Sequence, residues 1–169
     1  MLIQLFLCTS TEIILTYIIY VDASTSWGIG IIIQNQWAAS KLQDNWKIEG
    51  RDICWLETLA LEFLFYILEA MDVRDAHLLI HSDNQGAIRA LEKGRSPNFH
   101  INLSIHRMYK VLITCFITHH LKFIPSEENL AEPISRGEPG LVFTGSVLGL
   151  AKDQDRTEPR PIRTKILVD

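Results

Sequence analysis

Three acidic residues lie at positions where a carboxylate is unfavourable unless a cation uses it. Asp22 follows the apolar run 13–21, and Asp83 follows the run 78–82, which is typical of a buried strand. Glu57 falls within a predicted helix that extends from about residue 52 to residue 71 and carries no Lys or Arg. A carboxylate removed from water is normally paired or bound to a metal ion. We therefore predict that these three acids form a metal site.

Of the three acids, Glu57 gives the strongest support for a metal site. An Asp that follows a strand is usually a turn or helix-cap residue, so Asp22 and Asp83 each have a simpler interpretation. Glu57 instead points with the apolar side of its helix, while Thr58, Glu62 and Glu69 are predicted to mark the polar side. The apolar residues recur at the three-and-four spacing of an amphipathic helix; they are Ile53, Leu56, Ala60, Leu61, Leu64, Leu68 and Met71.

Length and composition predict one globular domain with a tail. The chain has 169 residues, of which 47% are hydrophobic and 21% are charged, which is enough for one full-sized core and leaves no room for a second catalytic domain. We expect an N-terminal extension at 1–12, the folded domain at 13–137, and a flexible linker or tail at 138–169.

Charge is distributed unevenly along the chain. The net charge of -4 argues against a surface that is basic throughout. Between His77 and Lys122, however, six Lys and Arg residues stand against Asp83 and Glu92, a local balance of +6 − 2 = +4. This segment is either a solvated basic helix face or a surface that contacts nucleic-acid phosphates.

The cysteines and the apolar start bear on the cellular compartment. Cys8, Cys54 and Cys115 are widely spaced and odd in number, which favours neither a disulfide framework nor a zinc site. The start lacks a basic region, and Glu12 interrupts it within the length that a membrane helix needs. We therefore expect an intracellular protein, in the cytoplasm or nucleus, that is neither secreted nor membrane-bound.

The order of elements predicts how the acids meet. Strands at 28–34 and 37–41 follow the first strand, and a turn at Asn35-Gln36 separates them. After the first helix we predict, in order, a strand at 77–82, helices at about 84–93 and 101–117, a strand at 121–124 and a brief helix from about 130. The order β-β-β-α-β-α-(α)-β-α implies an α/β fold with a five-stranded mixed sheet and helices on both faces. Its first and fourth strands would be neighbours, which brings Asp22 and Asp83 together at the strand ends.

Four motifs in this order resemble a known family. They are Val21-Asp22-Ala23-Ser24, Trp55-Leu56-Glu57, Ser82-Asp83-Asn84-Gln85-Gly86, and the segment 128–136 with the sequence Glu-Asn-Leu-Ala-Glu-Pro-Ile-Ser-Arg. Together they resemble the ribonuclease H-like domain of retroelement reverse transcriptase polyproteins, most closely the fungal retrotransposon versions. The resemblance extends from about Tyr17 to Gly137.

The resemblance implies a ribonuclease H-like fold and metal-dependent endonucleolytic hydrolysis of the RNA strand of RNA–DNA hybrids. By the same resemblance, Asp22, Glu57, Asp83 and Glu132 are the catalytic carboxylates that hold two Mg²⁺ ions, with Mn²⁺ as a possible substitute. Glu132 departs from the family, which normally has Asp in an Asn-x-Ala-Asp-x-x-Ser-Arg setting. The implied partners are the hybrid and other domains of a polyprotein, and no small-molecule cofactor is expected.

Polar and basic residues near the motifs are candidates for contacting nucleic acid. Ser24, Thr25, Asn84 and Gln85 are rim donors to sugar or phosphate, or else turn and cap residues. Lys93 and Arg95 are candidate phosphate contacts within the basic segment. Two alternatives to an active hybrid nuclease stay open: a catalytically decayed nucleic-acid-binding remnant, which the change at Glu132 favours, and a DNA-acting transposase or integrase relative, which the early position of Glu57 disfavours.

Overall fold

A computed structural model describes residues 15–138 of the chain. In that range the elements are β1 (Leu15–Ala23), β2 (Gly28–Ile33), β3 (Gln36–Lys41), α1 (Ile53–Ala70), β4 (Ala76–Ser82), α2 (Gln85–Lys93), α3 (Phe99–Thr114), β5 (Thr118–Phe123), a single 3-10 turn (Ser126–Glu128) and α4 (Glu132–Ser135). The predicted element order is confirmed. The predicted extension at 1–12, the tail at 138–169 and Cys8 lie outside the described residues, apart from position 138.

The strands form one five-stranded mixed sheet in the order β3-β2-β1-β4-β5. β1, β2 and β3 pair antiparallel because short turns join them, whereas β4 pairs in parallel with both β1 and β5 because helices cross over between them. The predicted adjacency of the first and fourth strands is therefore confirmed. In this pairing Tyr20 is the partner of His81, two positions before Asp22 and Asp83 respectively.

Helices cover both faces of the sheet, as predicted. On one face α1 packs against β1 and β2, and the largest buried side chains of the core, such as Ile19, Leu61 and Phe65, lie there. On the other face the short helix α4 packs on β2, where Ile134 meets Ile32 in a second, smaller cluster. This arrangement brings residues from both ends of the described chain to β1.

Helix α1 begins at the predicted place but is buried more fully than predicted. The side chain of Asp52 caps it by accepting a hydrogen bond from the Trp55 amide at 2.9 Å. The prediction that Thr58 and Glu62 mark an exposed polar side is wrong, because α3 packs against this side of α1 and leaves both residues buried. Glu69 is exposed, as predicted.

Several element boundaries differ from the predictions for local reasons. The β2–β3 turn is Gln34-Asn35, where Gln34 adopts a left-handed φ of 58°, so Gln36 belongs to β3. Helix α3 starts at Phe99 because the Asn98 side chain caps it. It stops early because Phe116 has a φ of 54°, which lets β5 begin at Thr118 instead of Leu121.

Among the described residues, no helix has both the length and the apolar content needed to cross a membrane.

Candidate metal centre

Three carboxylates converge at one end of the sheet. Asp22 lies near the end of β1, Asp83 directly follows β4, and Glu57 reaches the same point from the start of α1. One carboxylate oxygen from each residue lies within 4.8 Å of the other two. The predicted proximity of the three acids is therefore confirmed, and their oxygens are the hard ligands that Mg²⁺ prefers.

The surroundings of these acids oppose their ionisation. Asp22 and Glu57 are each only 5% exposed. Burial, together with the charges of Asp22 and Asp83, raises the pKa of Glu57 to about 9. Burial also raises the pKa of Asp22 to about 7, with the nearby charges of Asp83 and Glu132 adding to the effect and a hydrogen bond from Ser135 opposing it. A bound cation would favour the charged form of both acids and so oppose both shifts.

One oxygen of Glu57 is left without any partner. Its Oε2 is buried and accepts no hydrogen bond in the described structure, although a backbone hydrogen bond at Ala23 lowers the pKa of the carboxyl slightly. None of the three acids forms an ion pair with Lys or Arg within residues 15–138. Buried polar atoms normally have partners, so an orphaned carboxylate oxygen beside two further carboxylates fits the donor set of a divalent cation.

The segment after β5 supplies hydrogen bonds that were not predicted from the sequence. The Asn129 amide lies 3.0 Å from the Val21 carbonyl oxygen, 3.4 Å from Asp22 Oδ1 and 3.3 Å from Asp83 Oδ1. The Ser126 hydroxyl donates to Asp83, and the Ser135 hydroxyl donates to Asp22. Small polar side chains just after β5 were the only signal in the sequence, because their contacts depend on tertiary structure.

Glu132 lies close to the three acids but is oriented differently. It is the first residue of α4 and lines the same pocket as Asp22. Its Oε1 accepts a hydrogen bond from Arg136 Nη2 at 2.6 Å. It does not belong to the group of acids whose oxygens lie within 4.8 Å of one another. In this conformation the residue at the fourth carboxylate position of the family resemblance forms an ion pair with Arg136, which directly follows α4.

The carboxylates open into a pocket of about 340 Å³. Of the predicted nucleic-acid contacts, Ser24, Thr25 and Asn84 line it. The Asn84 side chain also caps α2 by accepting from the Ala87 amide at 2.9 Å, so its cap role is established. Gln85 does not line the pocket; its side chain is exposed and accepts from Arg89 at 3.4 Å.

The Lys and Arg residues of the basic segment do not line the pocket. Lys93 ends α2 and Arg95 follows the left-handed Gly94, and both side chains are exposed. Arg107 is different, because it forms an ion pair with the buried Glu62 and is already engaged within the protein. Arg107 remains 38% exposed beside this ion pair.

Comparisons with known proteins identify the fold. No family model matches the sequence, and no curated protein matches it significantly. The structure of LC11-RNase H1, isolated from compost by a metagenomic approach, is similar with a TM-score of 0.56 at 12% identity, over 76% of this chain and 97% of that chain. The N-terminal RNase H domain of Rv2228c from Mycobacterium tuberculosis is similar with a TM-score of 0.52 at 10% identity, over 76% and 96%. At these identities the likeness concerns the fold, so the chain has a ribonuclease H-like fold.

Proposed function

We propose that this protein is a metal-dependent endonuclease of the ribonuclease H type that hydrolyses the RNA strand of RNA–DNA hybrids. The observation that carries the proposal is the cluster of Asp22, Glu57 and Asp83, with ligand oxygens within 4.8 Å of one another and one Glu57 oxygen without a partner. A cluster of this kind is costly in a purely structural role, because burial and mutual repulsion both disfavour the charged state. The ribonuclease H-like fold supports the reaction class by analogy only.

The three carboxylates would hold two Mg²⁺ ions, with Mn²⁺ as a substitute, and Glu132 is the candidate fourth ligand. Two such ions would supply an activated water and stabilise the leaving 3′ oxygen of the cleaved phosphodiester. The side chains themselves supply hard oxygen ligands and offset the positive charge, so no protein nucleophile is required. In the described structure Glu132 Oε1 is paired with Arg136.

The rim and the basic segment are assigned to the nucleic acid. Ser24 and Thr25 stand at the pocket mouth, where their hydroxyl groups can bond sugar or phosphate. Lys93 and Arg95 are exposed and carry no ion pair in the described part of the chain, so both are available to phosphates. Discrimination for RNA would come from contacts to 2′-hydroxyl groups on the wide minor groove.

The motif resemblance further suggests an origin in a retroelement polyprotein, with other polyprotein domains as partners and an intracellular site of action.

One alternative has a specific observation in its favour. The ion pair between Glu132 and Arg136 is compatible with a decayed remnant that binds nucleic acid without cutting it, since the fourth acid is then committed to its neighbour. A remnant would keep the fold and the basic segment but would not need metal.

A cleavage assay with magnesium titration separates the two. An RNA–DNA hybrid labelled on the RNA strand is incubated with the wild-type chain and with Asp83→Asn, from no metal to millimolar Mg²⁺. The nuclease gives RNA fragments only with wild type and metal. Hybrid binding without cleavage in either Mg²⁺ or Mn²⁺ supports the remnant, and cleavage by Asp83→Asn at the wild-type rate contradicts the proposed metal site.

A further inference from the structure

Helix α4 approaches the sheet very closely at one glycine. Gly30 on β2 is the pairing partner of Asp22 on β1. A methyl group at Gly30 would lie 2.5 Å from the Ser135 amide nitrogen and 2.6 Å from the Ala131 carbonyl oxygen, both of them backbone atoms. Such contacts are too short for any side chain, so glycine at this position allows α4 to lie directly beside Asp22.

This close approach places the Ser135 hydroxyl on Asp22. Ser135 is fully buried, and its Oγ donates to Asp22 Oδ2. The same Oγ lies 2.9 Å from the Glu132 carbonyl oxygen of its own helix. A serine hydroxyl has only one hydrogen, and a hydrogen bond to a carboxylate is about twice as strong as one to a neutral carbonyl. Donation to an ionised Asp22 is therefore favoured.

The other oxygen of Asp22 lies on the side of Asp83. Asp22 Oδ1 lies 3.4 Å from the Asn129 amide nitrogen, which is also 3.3 Å from Asp83 Oδ1. The two Oδ1 atoms thus lie near the same amide nitrogen, whereas Oδ2 accepts the hydrogen bond from Ser135. With Oδ2 held in this way, the carboxylate cannot rotate freely about its Cβ–Cγ bond.

We propose that Ser135 is a positioning residue that fixes the Asp22 carboxylate with Oδ1 toward the Asp83 side of the site, and that Gly30 is the position that makes this contact possible. The proposal rests on the proposed metal site. It assigns a role to residues that do not themselves bind the cation. Groups that orient metal ligands in this way contribute strongly to metal affinity.

Metal affinity without substrate is the measurement that tests the proposal. Isothermal titration with Mg²⁺, together with thermal melts in EDTA and in millimolar Mg²⁺, is performed on wild type, Ser135→Ala and Ser135→Cys. Cysteine fills nearly the same space but is a weak donor. We expect both variants to bind Mg²⁺ about 10- to 100-fold more weakly than wild type, with near-normal melting of Ser135→Cys in EDTA. Restoration of wild-type affinity by cysteine would show that Ser135 only fills space, and would overturn the proposal.

Ser104 provides a matched control. It is a fully buried serine on α3 whose hydroxyl has no hydrogen-bond partner in the described structure. Ser104→Ala should leave Mg²⁺ affinity unchanged, because it removes a buried serine hydroxyl that makes no contact with the three acids. An equal loss of affinity in Ser104→Ala would mean that the effect of Ser135→Ala is general destabilisation.

Gly30→Ala tests the second half of the proposal. The added methyl should displace α4 and weaken Mg²⁺ binding, and Ser135→Ala should then cause little further loss in the double variant, because the contact is already broken. Additive losses would show that Gly30 and Ser135 act independently.

If wild type itself shows no Mg²⁺ binding, the proposed function fails, and the role of Ser135 fails with it. If wild type binds Mg²⁺ and the Ser135 variants bind it equally well, only the positioning role is wrong.

Discussion

Two glutamates on α1 are both buried, yet their surroundings are opposite. Glu62 is 1% exposed, and it accepts hydrogen bonds from the Tyr66 hydroxyl at 2.9 Å and from the Arg107 guanidinium, whose Nη2 lies 3.1 Å from Oε2. Glu57 is 5% exposed, has two acids as neighbours and keeps one oxygen without a partner. Burial alone therefore does not mark a functional acid. The absence of a compensating charge within the described structure distinguishes Glu57 from Glu62.

The comparison predicts that the two residues contribute to different properties of the protein. Glu57 should be required for activity and unfavourable for metal-free stability. Glu62 should be required for stability and dispensable for activity. Matched Glu→Gln variants on the same helix test this division directly.

The largest effect is expected for Glu57→Gln. Removing the charge should reduce hybrid cleavage by about a thousandfold or more, which corresponds to about 4 kcal/mol of lost transition-state stabilisation. The same change should raise or preserve the melting temperature in EDTA, because it relieves repulsion among three clustered acids. Single-turnover cleavage and thermal melts measure the two halves. A cleavage rate of Glu57→Gln within tenfold of the wild-type rate would show that Glu57, like Glu62, is not required for activity.

Glu62→Gln should show the converse pattern. It leaves Arg107 without its charged partner, and because Arg107 is 38% exposed and can regain water, we expect a loss of about 2 to 3 kcal/mol in the free energy of unfolding. Cleavage per folded molecule should stay near wild type. Urea denaturation measures the stability, and the cleavage assay is run at a temperature where both proteins are folded. A selective loss of cleavage without a loss of stability would contradict the comparison.

The pH dependence of metal-free stability should report the unpartnered acids. In the folded protein the pKa of Asp22 is about 7 and that of Glu57 is about 9, against ordinary values of 3.8 and 4.5. Above the ordinary values the unfolded chain binds fewer protons than the folded one, so stability falls as pH rises, from about pH 4.5 until the folded-state values are passed. Melts in EDTA from pH 5 to pH 9 should show this fall. It should be smaller in Glu57→Gln and should be opposed by Mg²⁺ in wild type. A melting temperature that rises over this range would count against the assigned shifts.

Glu132 shares features of both glutamates, because it has an ion pair as Glu62 does and lines the pocket of the acidic cluster as Glu57 does. We expect the smallest change in cleavage rate for substitutions of Glu132. It is partly exposed, and its partner Arg136 is 60% exposed, so their ion pair contributes at most about 1 kcal/mol. If Glu132 is a slightly misplaced ligand, Glu132→Asp should increase cleavage by up to about tenfold, or ~1.4 kcal/mol, and Mn²⁺ should already restore part of the deficit in wild type.

The exposed Glu128→Asp provides the control for this last variant. Cleavage rates for both variants and wild type, in Mg²⁺ and in Mn²⁺, distinguish the possible roles of Glu132. No change in either metal supports the decayed remnant. A loss of activity in Glu132→Asp would show that the chain has adapted to Glu at this position.

The sequence was sufficient for the parts of the site that depend on local pattern and strand order. The helical spacing around Glu57 and the order of hairpin and crossover connections predicted that Asp22, Glu57 and Asp83 would meet. The burial of Glu62 could not be predicted in this way, because it depends on α3 packing on α1 and on Arg107 being within reach. The contact of Ser135 with Asp22 likewise requires the close approach at Gly30, which no periodicity reveals. The ion pair of Glu132 with Arg136 depends on side-chain conformation, which a sequence motif does not predict.

The order of strands also affects whether two copies of the protein can associate through the edges of their sheets. Within residues 15–138, β3 and β5 are the two edges of the sheet, and edge strands offer unpaired backbone groups to which another chain can add. An exposed lysine lies on each edge, Lys41 on β3 and Lys122 on β5. A second copy that extended the sheet would have to desolvate these charges and, at like edges, place them near each other. Both edges therefore disfavour strand-to-strand aggregation.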